Sequence, residues 1–189
     1  MPLAEVERSI LDLANSFPNT PHSAIGRLPV VELTGGEPLL QKATIPLMKS
    51  LCDAEFTVLI ETSGAHDIGA IDPRVHRIMD LKCPSSGESE RNLVSNIPLL
   101  TERDEVKFVI GTWEDYDFLK EMLAEHDLAT KCSVLVSWVA PLLDHQKDAS
   151  LKSVPEGFRP ITRKELVEKI VEDRLPVRFQ LQMHKFIWP

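Results

Sequence analysis

An α/β fold is predicted, with a mainly parallel sheet and helices covering its outside. Two observations carry this. Short apolar, β-branched runs alternate several times with segments of helical periodicity, which is the pattern of successive βα units. Unusual polar residues then fall just after the apolar runs, at the carboxyl ends of strands, where parallel α/β architectures bind ligands. At 189 residues the chain is expected to form a single domain over 1–189.

The elements follow in order. Residues 2–17 place Leu3, Val6, Ile10, Leu13 and Phe17 at helical spacing, an amphipathic helix with one core face. Residues 18–29 are rich in Pro, Asn, Ser and Gly and read as a loop, with His22 solvated. Val30–Leu33 is a strand, and 38–54 is a helical pattern in which Pro46 predicts a kink or break near Ile45. Phe56–Gly64 and Arg77–Lys82 are further strands, and 88–100 includes a short helix. Glu105–Ile110 is a strand followed by a helix from Trp113, with Thr112 and Asp115 spaced for a capping box and Trp113, Phe118, Met122 and Leu123 covering the sheet. Residues 132–139 form a strand, 140–161 a long irregular connection, and Thr162 with Glu165 caps a helix running to about Arg174. The last strand, Val177–His184, alternates Arg178, Gln180, Gln182 and His184 on one side with Val177, Phe179, Leu181 and Met183 on the other.

The organising stretch is Val30 to Gln41, VVELTGGEPLLQ. A strand ends in Thr34, turns through Gly35 and Gly36, and enters a helical segment at Pro38. Two residues without Cβ atoms permit positive φ and let a ligand approach the backbone. Glu37 offers a carboxylate beside them. The other strand ends add Glu61-Thr62-Ser63, Cys83-Pro84-Ser85, Ser137-Trp138-Val139, and Gln182 with His184. A ligand pocket built from these ends is the expectation. Glu61 can read N–H donors of a polar heterocycle through two acceptor oxygens, with turn capping as its alternative role. His184 suits proton transfer or hydrogen bonding to a substrate, with an ordinary structural histidine as the alternative.

Composition excludes several classes. A net charge of −8 argues against a broad nucleic-acid footprint, so no nucleic-acid partner is expected. No apolar run reaches the roughly 18 residues of a membrane span, and the first residues lack a basic-then-apolar secretory signal, so the cytoplasm is the expected compartment. Cys52, Cys83 and Cys132 are widely separated and form no CxxC pair, which argues for reduced, partly buried thiols.

The string TGGEPLLQ resembles the segment with which radical S-adenosylmethionine enzymes hold the methionine end of their cofactor. Taken with IETSG, MDLKCPSSGES and the closing RFQLQMHKFIWP, the chain resembles the 7-carboxy-7-deazaguanine synthases of that superfamily over essentially its whole length. The resemblance implies a partial, modified (β/α) barrel and a homodimer. It implies a radical lyase that rearranges 6-carboxy-5,6,7,8-tetrahydropterin to 7-carboxy-7-deazaguanine with loss of ammonia, in queuosine and 7-deazapurine biosynthesis. The implied cofactors are S-adenosylmethionine, a 4Fe–4S cluster and Mg2+, with an electron donor such as flavodoxin. The cofactor then performs the difficult chemistry, and no catalytic residue of the chain is assigned. Carried over by motif, Gly35, Gly36, Glu37, Cys83, Pro84, Ser85, Ser137, Trp138 and Val139 contact the cofactor, with Glu37 at the methionine ammonium. Thr34, Glu61, His184 and Pro189 contact the substrate. The pattern Ser-Trp-Val at 137–139 departs from the family's Ser-Pro-Val.

The resemblance also implies a cluster held by C-x3-C-x2-C, and no such spacing occurs here. No metal ligand is therefore assigned in this chain. The expectation is a chain that begins about one strand-loop unit late, without the first strand and cluster loop, through truncation or a displaced gene start. By itself it should not hold a cluster. Two alternatives remain open: a cluster-free protein that binds S-adenosylmethionine or pterin, and another radical enzyme such as an activase. The QLQMHKFIW ending disfavours the latter.

Overall fold

A computed structural model describes residues 2–17, 29–140, 152–183 and 187. The expectations for His22, His184 and Pro189 lie outside these residues. The strands β1 (Val30–Leu33), β2 (Thr57–Thr62), β3 (His76–Leu81), β4 (Glu105–Ile110), β5 (Ser133–Trp138) and β6 (Arg178–Phe179) are ordered in the sheet as in the chain. Pairing is parallel within each unit, as expected of an α/β architecture. The backbone divides into two compact units, residues 1–62 with 68–78, and residues 63–67 with 79–189.

The first unit holds α1 (Leu3–Ser16), β1 (Val30–Leu33), α2 (Thr44–Asp53), β2 (Thr57–Thr62) and the first half of β3 (His76–Leu81). β1 and β2 pair in parallel, Val30 opposite Thr57 through Leu33 opposite Ile60. Burial alternates along β2, with Val58, Ile60 and Thr62 inside. Burying a side chain such as Ile60 is worth about 2 kcal/mol. The long helix expected over 38–54 is instead two pieces, a 3-10 turn at Pro38–Leu40 and then α2. Thr44 marks the new start, and its Oγ1 donates to the Pro38 carbonyl at 2.6 Å. Pro46 therefore sits in the first turn of α2, where a missing N–H breaks no helical bond, and the break comes before Ile45 rather than as a kink. Arg74 ties the end of this unit to α2, with Nη2 2.7 Å from Asp53 and 2.8 Å from Asp72. The guanidinium holds the Asp72 carboxyl well below the usual carboxylate range.

The second unit holds the rest of β3, then β4 (Glu105–Ile110), α3 (Trp113–His126), α4 (Leu128–Lys131), β5 (Ser133–Trp138), α5 (Arg163–Glu172) and β6 (Arg178–Phe179). β4 pairs in parallel with β5 over six residues, and β5 with β6 over two. Residues 88–100 form two 3-10 segments, Ser89–Arg91 and Val94–Leu99, rather than an α-helix. Asn92 between them closes a two-way amide contact with the residue that follows β3: its Oδ1 accepts from the Lys82 N–H and its Nδ2 donates to the Lys82 carbonyl, both at 2.9 Å.

Both capping boxes form. Thr112 and Asp115 start α3, and Thr162 and Glu165 start α5, each with reciprocal side-chain and backbone bonds. The buried residues of α3 are Asp115, Tyr116, Leu119 and Met122, and Phe118, half-buried, covers the sheet as expected, its ring edge-on to Phe108 of β4 at 6.2 Å. The Tyr116 hydroxyl donates to Asp173 at 2.9 Å, and Lys169 meets the same carboxylate at 2.9 Å.

The expected strand over Val177–His184 shortens to Arg178–Phe179. Gln180 N–H still reaches the Val136 carbonyl at 2.8 Å, but the backbone then leaves the ladder, and Met183 N–H closes a three-residue turn onto Leu181 at 2.9 Å. Leu181 and Met183 are consequently exposed. Alternation in the sequence does not make a strand without a partner to accept its hydrogen bonds.

Candidate functional site

In the first unit, the ends of β1 and β2 bring together four of the residues singled out in sequence. Thr34 Oγ1 donates to Glu61 Oε2 at 3.0 Å. Thr62 Oγ1 lies 2.9 and 3.0 Å from the two carboxylate oxygens of Glu37, and the Leu39 N–H donates to Glu37 Oε1 at 3.1 Å. Glu37 thereby caps the 3-10 turn. Thr62 is 2 % exposed, so its hydroxyl holds the Glu37 carboxylate from inside. Its place in the Glu61-Thr62-Ser63 tip was visible in sequence, but its pairing to Glu37, 25 residues away, was not. Between these groups the chain passes through Gly35 at φ +87° and Gly36 at φ +56°. A Cβ added at either would meet no atom within 4 Å. Two acceptor groups with fixed orientation thus flank a stretch of bare backbone.

In the second unit, Cys83, Ser85 and Val139 line a cavity of about 700 Å³, together with Gly111 and Thr112. Pro84 opens the 3-10 turn that carries Ser85, and the turn ends at Gly87 with φ +67°. Close packing at the end of β4 requires glycine, since a Cβ at Gly111 would stand 2.6 Å from Val139 Cγ1. Cys83 is buried, and burial together with the nearby Asp115 carboxylate pushes its thiol well above the ordinary cysteine value. Its contribution is shape, not thiolate chemistry. Lys152 reaches over the turn, with Nζ 2.8 Å from the Gly87 carbonyl and 2.6 Å from Glu88 Oε1.

Trp138 takes a different direction. Its indole Nε1–H donates to the Ile161 carbonyl at 2.8 Å, and the ring lines a separate pocket of about 190 Å³ with Arg163, Phe179 and Gln182. Ser137 is buried on the opposite side of the strand.

Asp115 is the functional-site residue that sequence reading undervalued. The spacing from Thr112 identified it as a helix cap. In the fold its carboxylate also accepts from the Ser85 N–H at 2.8 Å, the Ser85 hydroxyl at 2.6 Å and the Gly111 N–H at 2.9 Å. An acid in the first turn of a helix, directly after a strand-end glycine, was the available signal.

The cysteines do not form a centre. Cys52 is in α2, Cys83 follows β3 and Cys132 precedes β5, all three buried and none in a disulfide. Burial and Asp104 push the Cys132 thiol up to about 11. Among the described residues no group of three or more His, Cys, Asp or Glu is placed to hold a metal ion. No helix among them is long and apolar enough to cross a membrane.

The chain matches no protein-family model. Its fold is shared with QueE from Escherichia coli, at a TM-score of 0.63 and 19 % identity, covering 96 % of this chain and 64 % of that one. It is also shared with Streptococcus suis SuiB, solved bound to S-adenosylmethionine, at a TM-score of 0.56 and 13 % identity, covering 96 % and 42 %. Fold and strand ends together define a parallel α/β protein with acceptor side chains at the carboxyl ends of its strands. Sequence is more specific. The chain is 41 % identical over 163 residues to the 7-carboxy-7-deazaguanine synthase of Chlorobaculum tepidum, covering 85 % of this chain and 66 % of that protein. It is 40 % identical over 165 residues to that of Koribacter versatilis, covering 84 % and 69 %, and 37 % identical over 157 residues to that of Methanospirillum hungatei, covering 82 % and 57 %. The chain belongs to the 7-carboxy-7-deazaguanine synthase family. It spans 57 to 69 % of the length of these relatives.

Proposed function

We propose that this chain carries the cofactor- and substrate-binding strand ends of a 7-carboxy-7-deazaguanine synthase. The reaction is the conversion of 6-carboxy-5,6,7,8-tetrahydropterin to 7-carboxy-7-deazaguanine with loss of ammonia, in queuosine and 7-deazapurine biosynthesis. One observation carries the reading beyond kinship: Glu37 and Glu61 are each held by a threonine hydroxyl beside two glycines with open space before them.

The residues present fit S-adenosylmethionine. Glu37 would receive its ammonium, and Gly35 and Gly36 would let the methionine end approach; in the second unit, the motif match assigns Ser85 and Val139 to the same cofactor. When bound, S-adenosylmethionine supplies the hydrogen-abstracting chemistry. Glu61, steadied by Thr34, would accept from the N–H donors of the pterin ring, and His184 and Pro189 complete the proposed substrate set. The residues present do not fit a 4Fe–4S cluster, because three buried cysteines on separate elements cannot present thiolates to one centre. No step is derived through the cluster or through Mg2+. A homodimer, an electron donor such as flavodoxin and a cytoplasmic setting belong to the same proposal.

Calorimetric titration of the 189-residue protein with S-adenosylmethionine, and separately with the carboxypterin, tests the reading. Each carboxylate makes charge-assisted contacts of about 1.5–3 kcal/mol. Glu37→Gln should therefore weaken the first ligand, and Glu61→Gln the second, by at least roughly tenfold. Wild-type protein that binds neither ligand, or variants that bind as wild type, would overturn it.

A further inference from the structure

A capping box asks little of its acid: one bond from the side chain to the cap residue's own N–H. Asp115 does that for Thr112 at 3.0 Å and then makes three bonds that no helix start requires. Its Oδ1 accepts from the Ser85 N–H, and its Oδ2 accepts from the Ser85 hydroxyl and the Gly111 N–H. The residue is 0 % exposed, so none of these donors can exchange its partner for water. Thirty residues separate Asp115 from Ser85, and the carboxylate is what joins the turn after β3 to the turn after β4.

The direction of the Ser85 bond has a chemical consequence. A carboxylate only accepts, so the hydroxyl proton of Ser85 must point at Asp115. A serine hydroxyl has one proton and two lone pairs, and only the lone pairs remain to face the cavity that Ser85 lines. We propose that Asp115 is a positioning residue that fixes Ser85 as a hydrogen-bond acceptor, so that the cavity selects a ligand presenting an O–H or N–H donor at that point. The proposal rests on the cofactor-binding reading above and deepens it, since sugar hydroxyls and amines are such donors, whereas a phosphate or carboxylate is not.

The test is a double-mutant cycle read by calorimetric titration of S-adenosylmethionine, with melting temperature followed in parallel. Ser85→Ala and Asp115→Asn should each weaken binding roughly tenfold or more, and the double variant should be no weaker than Asp115→Asn alone. Thr162→Ala, which removes the cap of α5, controls for lost stability: it should lower the melting temperature and leave affinity at the wild-type value. Asp115→Asn binding as wild type, or effects of the two substitutions that multiply in full, would overturn the proposal while leaving the cofactor reading intact. If wild-type protein does not bind, the cofactor reading falls instead, and amide exchange at Ser85 decides the positioning role without a ligand. Slow exchange in the wild type that is lost in Asp115→Asn upholds that role, and unchanged exchange refutes it.

Discussion

Thr62→Val separates the scaffold of the β1 and β2 ends from the ligand chemistry proposed for them. Valine keeps the shape of threonine, so the buried position at the end of β2 stays filled, and only the hydroxyl shared between the two Glu37 oxygens is lost. A hydrogen bond to a charged group is worth about 1.5–3 kcal/mol. Glu37 is only half-buried and keeps its bond from the Leu39 N–H, so water takes over part of the lost contact, and the net cost should fall to about 1 kcal/mol. In a chain of this length that lowers the melting temperature by roughly 2–4 °C. The orientation of the carboxylate is lost as well, and S-adenosylmethionine should bind about fivefold to tenfold more weakly, a penalty near 1 kcal/mol. Urea unfolding and calorimetric titration on the same preparation measure both. A fall in stability with unchanged affinity would refute Glu37 as the ligand group. Unchanged stability would refute the Thr62–Glu37 bond itself.

Two further perturbations follow from the second unit. Gly111→Ala places a methyl group 2.6 Å from Val139 Cγ1 and should destabilise by about 1–3 kcal/mol, with Val139→Ala in the same chain restoring most of the loss in urea unfolding. Asp173 is held below the ordinary carboxyl value of 3.8 by Lys169 and then by the Tyr116 hydroxyl. A depressed folded-state value means that its contribution is present above pH 3.8 and lost as pH falls through the lower value of the folded state. Thermal melts of wild type and Asp173→Asn should therefore differ at pH 6 and converge in acid; a difference that grows in acid would contradict the sign.

Local chemistry was the legible part of this chain. Val30–Leu33 and Glu105–Ile110 could be bounded from sequence because β-branched runs end there in glycine or threonine, and both caps could be read because their bonds close within three residues. Long-range bonds were not legible. The Thr62–Glu37 and Asp115–Ser85 contacts join residues 25 and 30 positions apart, and no spacing rule encodes them. The last strand failed for a related reason, since its alternation was genuine while its length was set by where the chain leaves β5. Pro46 signalled the break near Ile45 but not its exact place, which depends on the residue that begins the helix, and Thr44 decides that through a bond back to Pro38.

The empty space in front of Gly35 and Gly36 bears on the thermodynamics of the unfolded chain. Interior packing does not demand glycine there, because nothing stands where a side chain would go. Positive φ does favour it, and the folded state carries a cost of about 0.5–1 kcal/mol for ordering each such residue from a freer ensemble. A side chain at either position would therefore meet no neighbour and still be strained, because L residues rarely adopt these φ values. Gly35→Ala and Gly36→Ala should each lower the melting temperature although nothing is displaced, and asparagine, which tolerates the left-handed region better, should lower it least. The cost at these two positions is one of backbone conformation alone, the reverse of Gly111, where contact with Val139 sets it.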